Sequence, residues 1–238
     1  MLCGDRVSVA RPTAVIIDDA TFIRQAFPAL MPQLSIRGSF VTVQQFITSG
    51  VQADLVILEL QRVDKCPHEV RRGITGLHLA VLAGYRVCIY TQEPRPFIHA
   101  ACLACGATGV VAKGDPLPDA QRTFLEIARG HAVVPPELIE AFDLLPRRRQ
   151  LTMLTAGQRA VLRARAQRAM VSQTAAQLGL SVPEVFADWR AVSEAVRRYL
   201  QHTPLSMVLR ELHLDPDAMA DIWCPPPGTA DTVAAGPR

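Results

Sequence analysis

Side chains that could do chemistry follow four separate apolar runs in the first half of the sequence. Asp18 and Asp19 come after AVII, Glu59 after LVIL, Thr91 after VCIY and Lys113 after GVVA. Three carboxylates suit a hard divalent cation, and a hydroxyl with an ammonium suits a phosphoryl group. Lys113 is also conspicuous because it is one of only two lysines among 25 basic residues.

These polar residues need a scaffold that brings several strand ends together. The four apolar runs and a weaker one, SIRGSFV, alternate with stretches of helical spacing at 22–30, 43–48, 77–83, 98–105 and 120–129. Such alternation predicts an α/β fold, a doubly wound five-stranded parallel sheet, because parallel neighbours need crossovers. Ligands bind such sheets at the carboxyl ends of the strands. We therefore expect the five polar residues to share one rim.

Glu59 ends a run that reads as a strand buried on both faces. A buried charge costs several kcal/mol unless a partner meets it, so Glu59 is expected at the mouth of the strand. One interpretation is purely structural, an ion pair with Lys113 that joins two strand ends. A partly exposed pair of this kind contributes only about 0 to 1 kcal/mol.

Length and composition indicate a globular protein of 238 residues in two domains. No apolar run approaches the roughly 20 residues that span a bilayer, and no secretion signal is evident, so we expect a cytoplasmic protein without membrane contact. The six cysteines are irregularly spaced. In a reducing compartment they are expected as packed thiols, and the single CxxC, Cys102 and Cys105, is a weaker candidate for metal or redox use.

Charge divides the chain into two parts. Residues 1–143 hold 13 Lys and Arg against 14 Asp and Glu, whereas residues 147–200 hold 10 against 3. A compact basic segment favours a polyanionic partner, although a solvated helical face would look the same. We expect a first domain at 1–143, a linker at 144–153, a helical domain at 154–223 and a disordered tail at 224–238.

The basic part has the signals of three successive helices. Thr155 with Gln158, and Ser181 with Glu184, each form a capping box at a helix start. A short helix fits 172–178, and Gly179 permits the turn that follows. The apolar face of the third helix consists of Val185, Trp189, Val192, Val196 and Leu200. Helix, short helix, turn and longer helix is the helix-turn-helix plan, whose last helix enters the DNA major groove.

In order and spacing, residues 1–143 resemble the receiver domain of two-component response regulators. The resemblance implies that Asp18 and Asp19 hold Mg²⁺ weakly, that Glu59 occupies the position of the phosphoaccepting aspartate, and that Thr91 and Lys113 are the remaining switch residues. Glutamate is one methylene longer than aspartate, which moves its carboxylate towards the lysine and imitates a phosphorylated state.

Two further departures from the receiver pattern concern switching. Gln92 stands where the family has a small residue, and Val110 stands at the aromatic switch position. A receiver that lacks both the acceptor and the aromatic switch is expected to be fixed in one state. No nucleophile and base pair suggests an enzyme.

Residues 154–185 resemble the C-terminal domain of NarL/FixJ (LuxR-type) regulators. The matches are LT at 154–155, VL at 161–162 and the turn residues Ala175, Leu178, Leu180 and Ser181. The departures are Arg165 for an apolar residue, Arg168 for a glycine, and Glu184, Phe186 and Asp188 for threonine, lysine and histidine.

Two interpretations follow from this resemblance. In the first, the protein is a phosphorylation-independent transcription regulator that binds double-stranded DNA as a homodimer, with 204–223 forming the dimer surface or simply covering the helical core. Its DNA contacts would be Ser172, Gln173, Ser181, Arg190, Arg197 and Arg198. In the second, the helix-turn-helix is degenerate and the protein binds a regulatory protein partner, because acidic residues on the third helix oppose phosphate contacts.

Overall fold

The structure is a computed structural model that describes residues 10–60, 67–138, 155–166, 169–204, 207, 208 and 210. For residues 67–72, 162 and 166 it describes the backbone alone. Several predicted features lie outside the described residues, namely the linker at 144–153, the tail at 224–238, Arg168 and most of 204–223.

The predicted five-stranded parallel sheet is confirmed. Its strands are β1 Thr13–Ile17, β2 Ser35–Phe40, β3 Leu55–Leu58, β4 Val87–Thr91 and β5 Gly109–Ala112, and the order is β2-β1-β3-β4-β5. All pairs are parallel. This is the flavodoxin-like order of doubly wound sheets. Strand β2 is half exposed at one edge, which explains its weaker apolar pattern.

Strand β5 forms the other edge of the sheet and is nevertheless buried. The backbone of Val133 runs beside it, and the Val110 amide donates a hydrogen bond to the Val133 carbonyl at 3.2 Å. A Cβ on Gly109 would lie 2.5 Å from that carbonyl oxygen, so only glycine fits here. The covered edge places the chain after Val133 beside the helical region.

Five helices accompany the sheet, and one is longer than predicted. They are α1 Thr21–Leu30, α2 Val43–Ser49, α3 Pro67–Leu82, α4 Pro96–Ala104 and α5 Leu117–Ala128. The prediction of 77–83 captured only the last part of α3. Gly73 and Gly76 approach Leu60 and Val43 closely, with 3.0 Å left for an added Cβ. Because α3 packs closely through these glycines, this part of the helix lacks the apolar periodicity from which a helix is predicted.

The helical region has the predicted plan, with α6 Ala156–Ala166, α7 Val171–Leu178 and α8 Val182–His202. Both capping boxes are confirmed: Thr155 and Gln158 bond reciprocally, as do Ser181 and Glu184. Gly179 ends α7 in the left-handed conformation, with φ of 65°. The predicted apolar face of α8 is buried.

The two regions are packed together through helices α4 and α8. Residues 98–104 of α4 are all buried, because α8 covers the side that faces away from the sheet. Cys102 and Cys105 lie in this layer as buried thiols, as expected from the sequence. In the described part of the chain, no helix combines the length and apolarity that crossing a membrane requires.

Candidate functional site

The strand ends bring three of the predicted rim residues into direct contact. Lys113 follows β5, and its Nζ donates hydrogen bonds to Asp18 Oδ2 at 2.8 Å and to Glu59 Oε1. The side chains of Lys113, Asp18 and Glu59 are 8%, 1% and 11% exposed. The expectation of a partly exposed ion pair was therefore wrong, because the neighbouring strand ends and loops cover it. Removing one partner of a buried pair costs about 3–5 kcal/mol.

Burial makes the Glu59 carboxyl a weaker acid than usual. Desolvation, followed by the hydrogen-bonded Asp18 carboxyl, raises the pKa of Glu59 to about 7, although Lys113 opposes the shift. One ammonium thus serves two carboxylates, and only part of their charge is compensated. Glu59 Oε2 is buried, and no described residue forms a hydrogen bond with it. Glu59 therefore contributes to the rim a carboxylate oxygen that can still accept a hydrogen bond.

Thr91 and Asp19 complete the rim in different ways. The backbone amide of Lys113 donates to the Thr91 carbonyl at 2.8 Å, so the two residues are neighbours. The Thr91 hydroxyl accepts from the Glu93 amide at 3.0 Å. Asp19 is exposed, and its carboxylate lies with those of Asp18 and Glu59 within the 4.8 Å that a shared metal ion requires. The donor set therefore fits a divalent cation, close to a lysine that opposes one.

The predicted DNA contacts do not all lie on one free surface. Ser172 and Gln173 are exposed on α7, and Gln173 Oε1 accepts from the Met170 amide at 2.9 Å. Ser181 caps α8. Arg197 and Arg198 both form ion pairs with Glu194 on the same helix.

Arg190 points the other way, towards the first domain. Its Nη1 donates to Glu126 Oε2 of α5 at 3.0 Å, so this predicted DNA contact is engaged within the protein. Glu126 also lies within ion-pair distance of Arg129 and His131. Arg190 can reach a phosphate only when it leaves this carboxylate.

Two further hydrogen bonds join α8 to the strand-like segment beside β5. Trp189 Nε1 donates to the Val134 carbonyl at 2.7 Å, and the Val134 amide donates to Ser193 Oγ at 2.9 Å. Ser193 is fully buried and Trp189 nearly so. The backbone amide and the backbone carbonyl of Val134 are thus both hydrogen-bonded to side chains of α8.

A buried ion pair lies beside these bonds. Arg165 of α6 donates to Asp119 Oδ2 of α5 at 2.9 Å, and the same oxygen accepts from the Val171 amide at 3.1 Å. Both side chains are below one-tenth exposed. The Arg165 guanidinium also stacks 4.6 Å above the Trp189 ring. Arg165, a departure from the helix-turn-helix pattern, is therefore the residue that ties α6 and α7 to α5.

Phe186 is a second departure that contributes to the same contact. It is buried, it stacks on Trp189 at 5.8 Å, and the Arg122 guanidinium of α5 lies 5.4 Å from its ring. We call this set the docking interface: Asp119, Arg122, Glu126 and Val134 on one side, and Arg165, Phe186, Trp189, Arg190 and Ser193 on the other. Sequence reasoning missed it, although a buried-position arginine and a serine on an apolar helix face were signals.

Comparison with known proteins gives structural likenesses at low identity. No family model matches the chain, and no curated protein matches it either. Among solved structures, the chain is similar to the RcsB response regulator of Salmonella typhimurium, with 18% identity, a TM-score of 0.46, and coverage of 86% of this chain and 93% of that one.

Two further solved structures show comparable likeness. Two RcsB dimers bound to DNA give 18% identity, a TM-score of 0.48 and coverage of 82% of this chain and 100% of that one. A LuxR-family two-component response regulator from Aurantimonas sp. gives 16% identity and a TM-score of 0.47, with coverage of 55% of this chain and 94% of that one.

The raised pKa of Glu59 predicts a specific pH dependence of stability. Because that pKa is about 7 in the folded state against a usual value of 4.5, the folded protein retains a proton that the unfolded chain has lost. The contribution of Glu59 to the free energy of unfolding is therefore full below pH 4.5 and declines as the pH rises through 7.

Urea unfolding of the wild type and Glu59→Gln at about pH 5, 6 and 7.5 checks this, in buffers free of divalent cations. The variant, which cannot ionise, loses that part of the decline. Glu194→Gln, on the outer side of α8, is the control and keeps it. Parallel curves for the wild type and Glu59→Gln would contradict the prediction.

The buried Asp119–Arg165 pair predicts non-additive mutational effects. Asp119→Asn leaves Arg165 buried without its counter-charge and lowers the free energy of unfolding by about 3–5 kcal/mol. The double variant Asp119→Asn/Arg165→Leu loses less than the two single variants together, because no buried charge remains. Urea unfolding of the four proteins measures this coupling, and additive losses would show that the pair is not formed.

Proposed function

We propose that this chain is a phosphorylation-independent response regulator of the LuxR type, a cytoplasmic DNA-binding transcription regulator rather than an enzyme. The observation that carries the proposal is the buried contact of Lys113 with Glu59 and Asp18. In a receiver-like rim, this contact occupies the lysine that a phosphoryl group on an aspartate would recruit.

The chemistry of the rim supports independence from phosphorylation. A glutamate at this position supplies a carboxylate that already reaches the lysine, so no phosphoryl transfer is needed to make the contact. Thr91 keeps its hydroxyl in the turn after β4. The rim therefore supplies a constant state, and regulation acts elsewhere in the protein.

The helical region supports DNA binding through α8. It has the helix-turn-helix order, intact capping at α6 and α8, and a basic balance of 10 Lys and Arg against 3 Asp and Glu over residues 147–200. Basic side chains attract DNA phosphates whatever the base sequence. Groove reading additionally requires the face of α8 that Arg190 shares with Trp189.

The docked state offers little of that face to DNA. The exposed positions in the first turns of α8 include Glu184, Ala187 and Ala191, while Arg190 is bound to Glu126. We propose that DNA binding requires release of the docking interface. Release costs free energy, because the Asp119 carboxylate and the backbone amide and carbonyl of Val134 lose their hydrogen bonds within the protein and must be hydrated instead. The docked state is therefore the resting state.

Mg²⁺ binding at Asp18, Asp19 and Glu59 is part of the proposal, and it is weak. The carboxylates suit the ion, but the Lys113 ammonium bonds to two of them and repels a second cation. The ion would hold the carboxylates together and supply no signal of its own.

Homodimerisation is the natural route to two DNA half-sites one helical turn apart. We propose that 204–223 supplies the dimer surface. Of that segment, Val208 is fully buried and Arg210 is exposed. A dimer surface there would leave α8 free to approach the groove.

A protein-binding function is the second candidate. It is favoured by a specific observation: Arg165 and Phe186, which depart from the helix-turn-helix pattern, both build the docking interface. A helix whose departures serve permanent docking would never read DNA, and the protein would instead act on a regulatory protein partner as a pseudo-receiver.

DNA affinity of docking variants separates the two candidates. Glu126→Ala frees Arg190 and weakens docking, so we expect several-fold tighter binding to genomic DNA fragments than the wild type shows. Arg190→Ala in that background reverses the gain and lowers the salt slope by about 1, as loss of one phosphate contact does. Fluorescence anisotropy at two salt concentrations measures both quantities.

The control for that experiment is Asp54→Asn, an acid removed just before β3 and outside the docking interface. It changes the net charge as Glu126→Ala does without freeing Arg190, and the Asp54 carboxylate accepts hydrogen bonds from Thr13. Equal effects of the two variants, or no selective binding by any of them, would favour the protein-binding function.

The rim predicts no phosphorylation of the wild type. Acetyl phosphate with Mg²⁺ should leave the intact mass unchanged, because a glutamate here binds Lys113 instead of accepting a phosphoryl group. Glu59→Asp restores the acceptor and should gain one phosphoryl group by mass spectrometry. A phosphorylated wild type, with the modification mapped to Glu59 or Asp18, would contradict the proposal.

A further inference from the structure

A cavity lies where the carboxyl ends of β4 and β5 meet α8. Its volume is about 390 Å³, within the range of small-molecule sites. Its walls come from both regions of the protein and include Thr91, Glu93, Lys113, Asp115, Glu137 and Trp189. The cavity therefore touches the rim at one end and the docked helix at the other.

The cavity has an excess of negative charge. Of its acids, Glu93 is paired with Arg95, through contacts of 2.6 and 2.8 Å. Its lysine, Lys113, directs Nζ to Asp18 and Glu59. Asp115 and Glu137 form no ion pair with the described residues. Burial raises the pKa of Asp115; the charge of Arg165 opposes this shift, and the charge of Glu137 adds to it.

A third acceptor on the same walls is His99. The residue is 7% exposed and lines the cavity. Its Nε2 lies 2.7 Å from the Glu93 carbonyl, so that nitrogen carries the proton in the neutral ring, and burial lowers the pKa of His99. Nδ1 is then a lone pair, and it has no hydrogen-bond partner among the described residues. Two carboxylates and an imidazole lone pair together call for a ligand that donates.

Another part of the cavity wall is apolar, beside the polar side chains of Gln92 and Thr123. The cavity is also bordered by four apolar groups, namely Val110, Val133, Pro135 and the Trp189 ring. In the part of the chain that the structure describes, the group of acids close enough to share a metal ion is Asp18, Asp19 and Glu59, and none of the cavity acids belongs to it. Separated acceptors around an apolar wall suit an organic cation rather than a bare ion.

We propose that this cavity binds a small amphipathic amine, with its ammonium at Asp115 and Glu137 and its apolar body against Trp189. A regulatory consequence rests on the proposed function. Because Trp189 is a wall only while α8 is docked, the ligand binds the docked state and stabilises it by mass action. The amine then replaces phosphorylation as the signal and lowers DNA affinity.

Binding is tested on the full chain without DNA, with 2-phenylethylamine as the probe and 3-phenylpropionate as its anionic counterpart. The readout is the indole N–H signal of Trp189 in a proton–nitrogen NMR spectrum, with a Trp223→Phe variant to assign it. We expect the amine to shift this signal saturably at micromolar to millimolar concentrations, and the acid to leave it in place.

Two variants locate the ammonium. Glu137→Gln, at an exposed position, and Asp115→Asn should each weaken amine binding about tenfold, as loss of one charge-assisted hydrogen bond does. Glu194→Gln removes an acid outside the cavity and should leave amine binding unchanged. An unshifted Trp189 signal, an equal response to 3-phenylpropionate, or unchanged affinity in both cavity variants would overturn the proposal.

The regulatory consequence has a separate readout. At a concentration near its dissociation constant for the wild type, 2-phenylethylamine should lower the DNA affinity of the wild type more than that of Asp115→Asn, which binds the amine about tenfold more weakly. Amine binding without an effect on DNA would overturn the signal role alone. Tighter DNA binding by Glu126→Ala, together with no amine binding by the wild type, would overturn the cavity proposal and leave the proposed function intact.

Discussion

Lys113 is the charge around which this protein is arranged. Its ammonium lies between the carboxylates of Asp18 and Glu59, where the carboxyl ends of β1, β3 and β5 share one rim of the sheet. Such a group cannot leave without exposing unpaired charge in a poorly solvated place, which costs several kcal/mol. The rim is therefore held in one arrangement, and the chain from Lys113 to Asp119 enters α5 from a fixed point. Everything that docks on α5 depends on that start.

The docking interface uses the same physics a few residues further along. The Asp119 carboxylate accepts hydrogen bonds from Arg165 and from the first residue of α7. The backbone carbonyl and amide of Val134 are hydrogen-bonded to Trp189 and Ser193. Each contact satisfies a polar group that burial would otherwise penalise. The interface is specific because its polar groups fit one register of α8. The proposed function adds a second, released state, in which water satisfies the same polar groups.

Rim and interface meet in one cavity, and this links the two halves of the proposal. In the proposed function the rim does not change with phosphorylation, so another event must move α8. The cavity borders both Lys113 and Trp189, and two of its acids, Asp115 and Glu137, form no ion pair within the described part of the chain. A ligand that supplies the missing cation would favour the docked state, whereas a regulator with an active acceptor would receive the same information from the rim.

The sequence alone determined the sheet, the order of the helices, both capping boxes and the rim, because these follow from local periodicity, short-range caps and the shared ends of parallel strands. It did not give the length of α3, whose glycines leave no pattern, nor the burial of the Lys113 pair. The docking interface was decided only by tertiary structure. Asp119 and Arg165 are 46 residues apart, and Trp189 and Val134 are 55 apart. Neither spacing has a periodicity, so only the packing of α8 on α4 and α5 reveals why Arg165, Phe186 and Ser193 have the side chains they do.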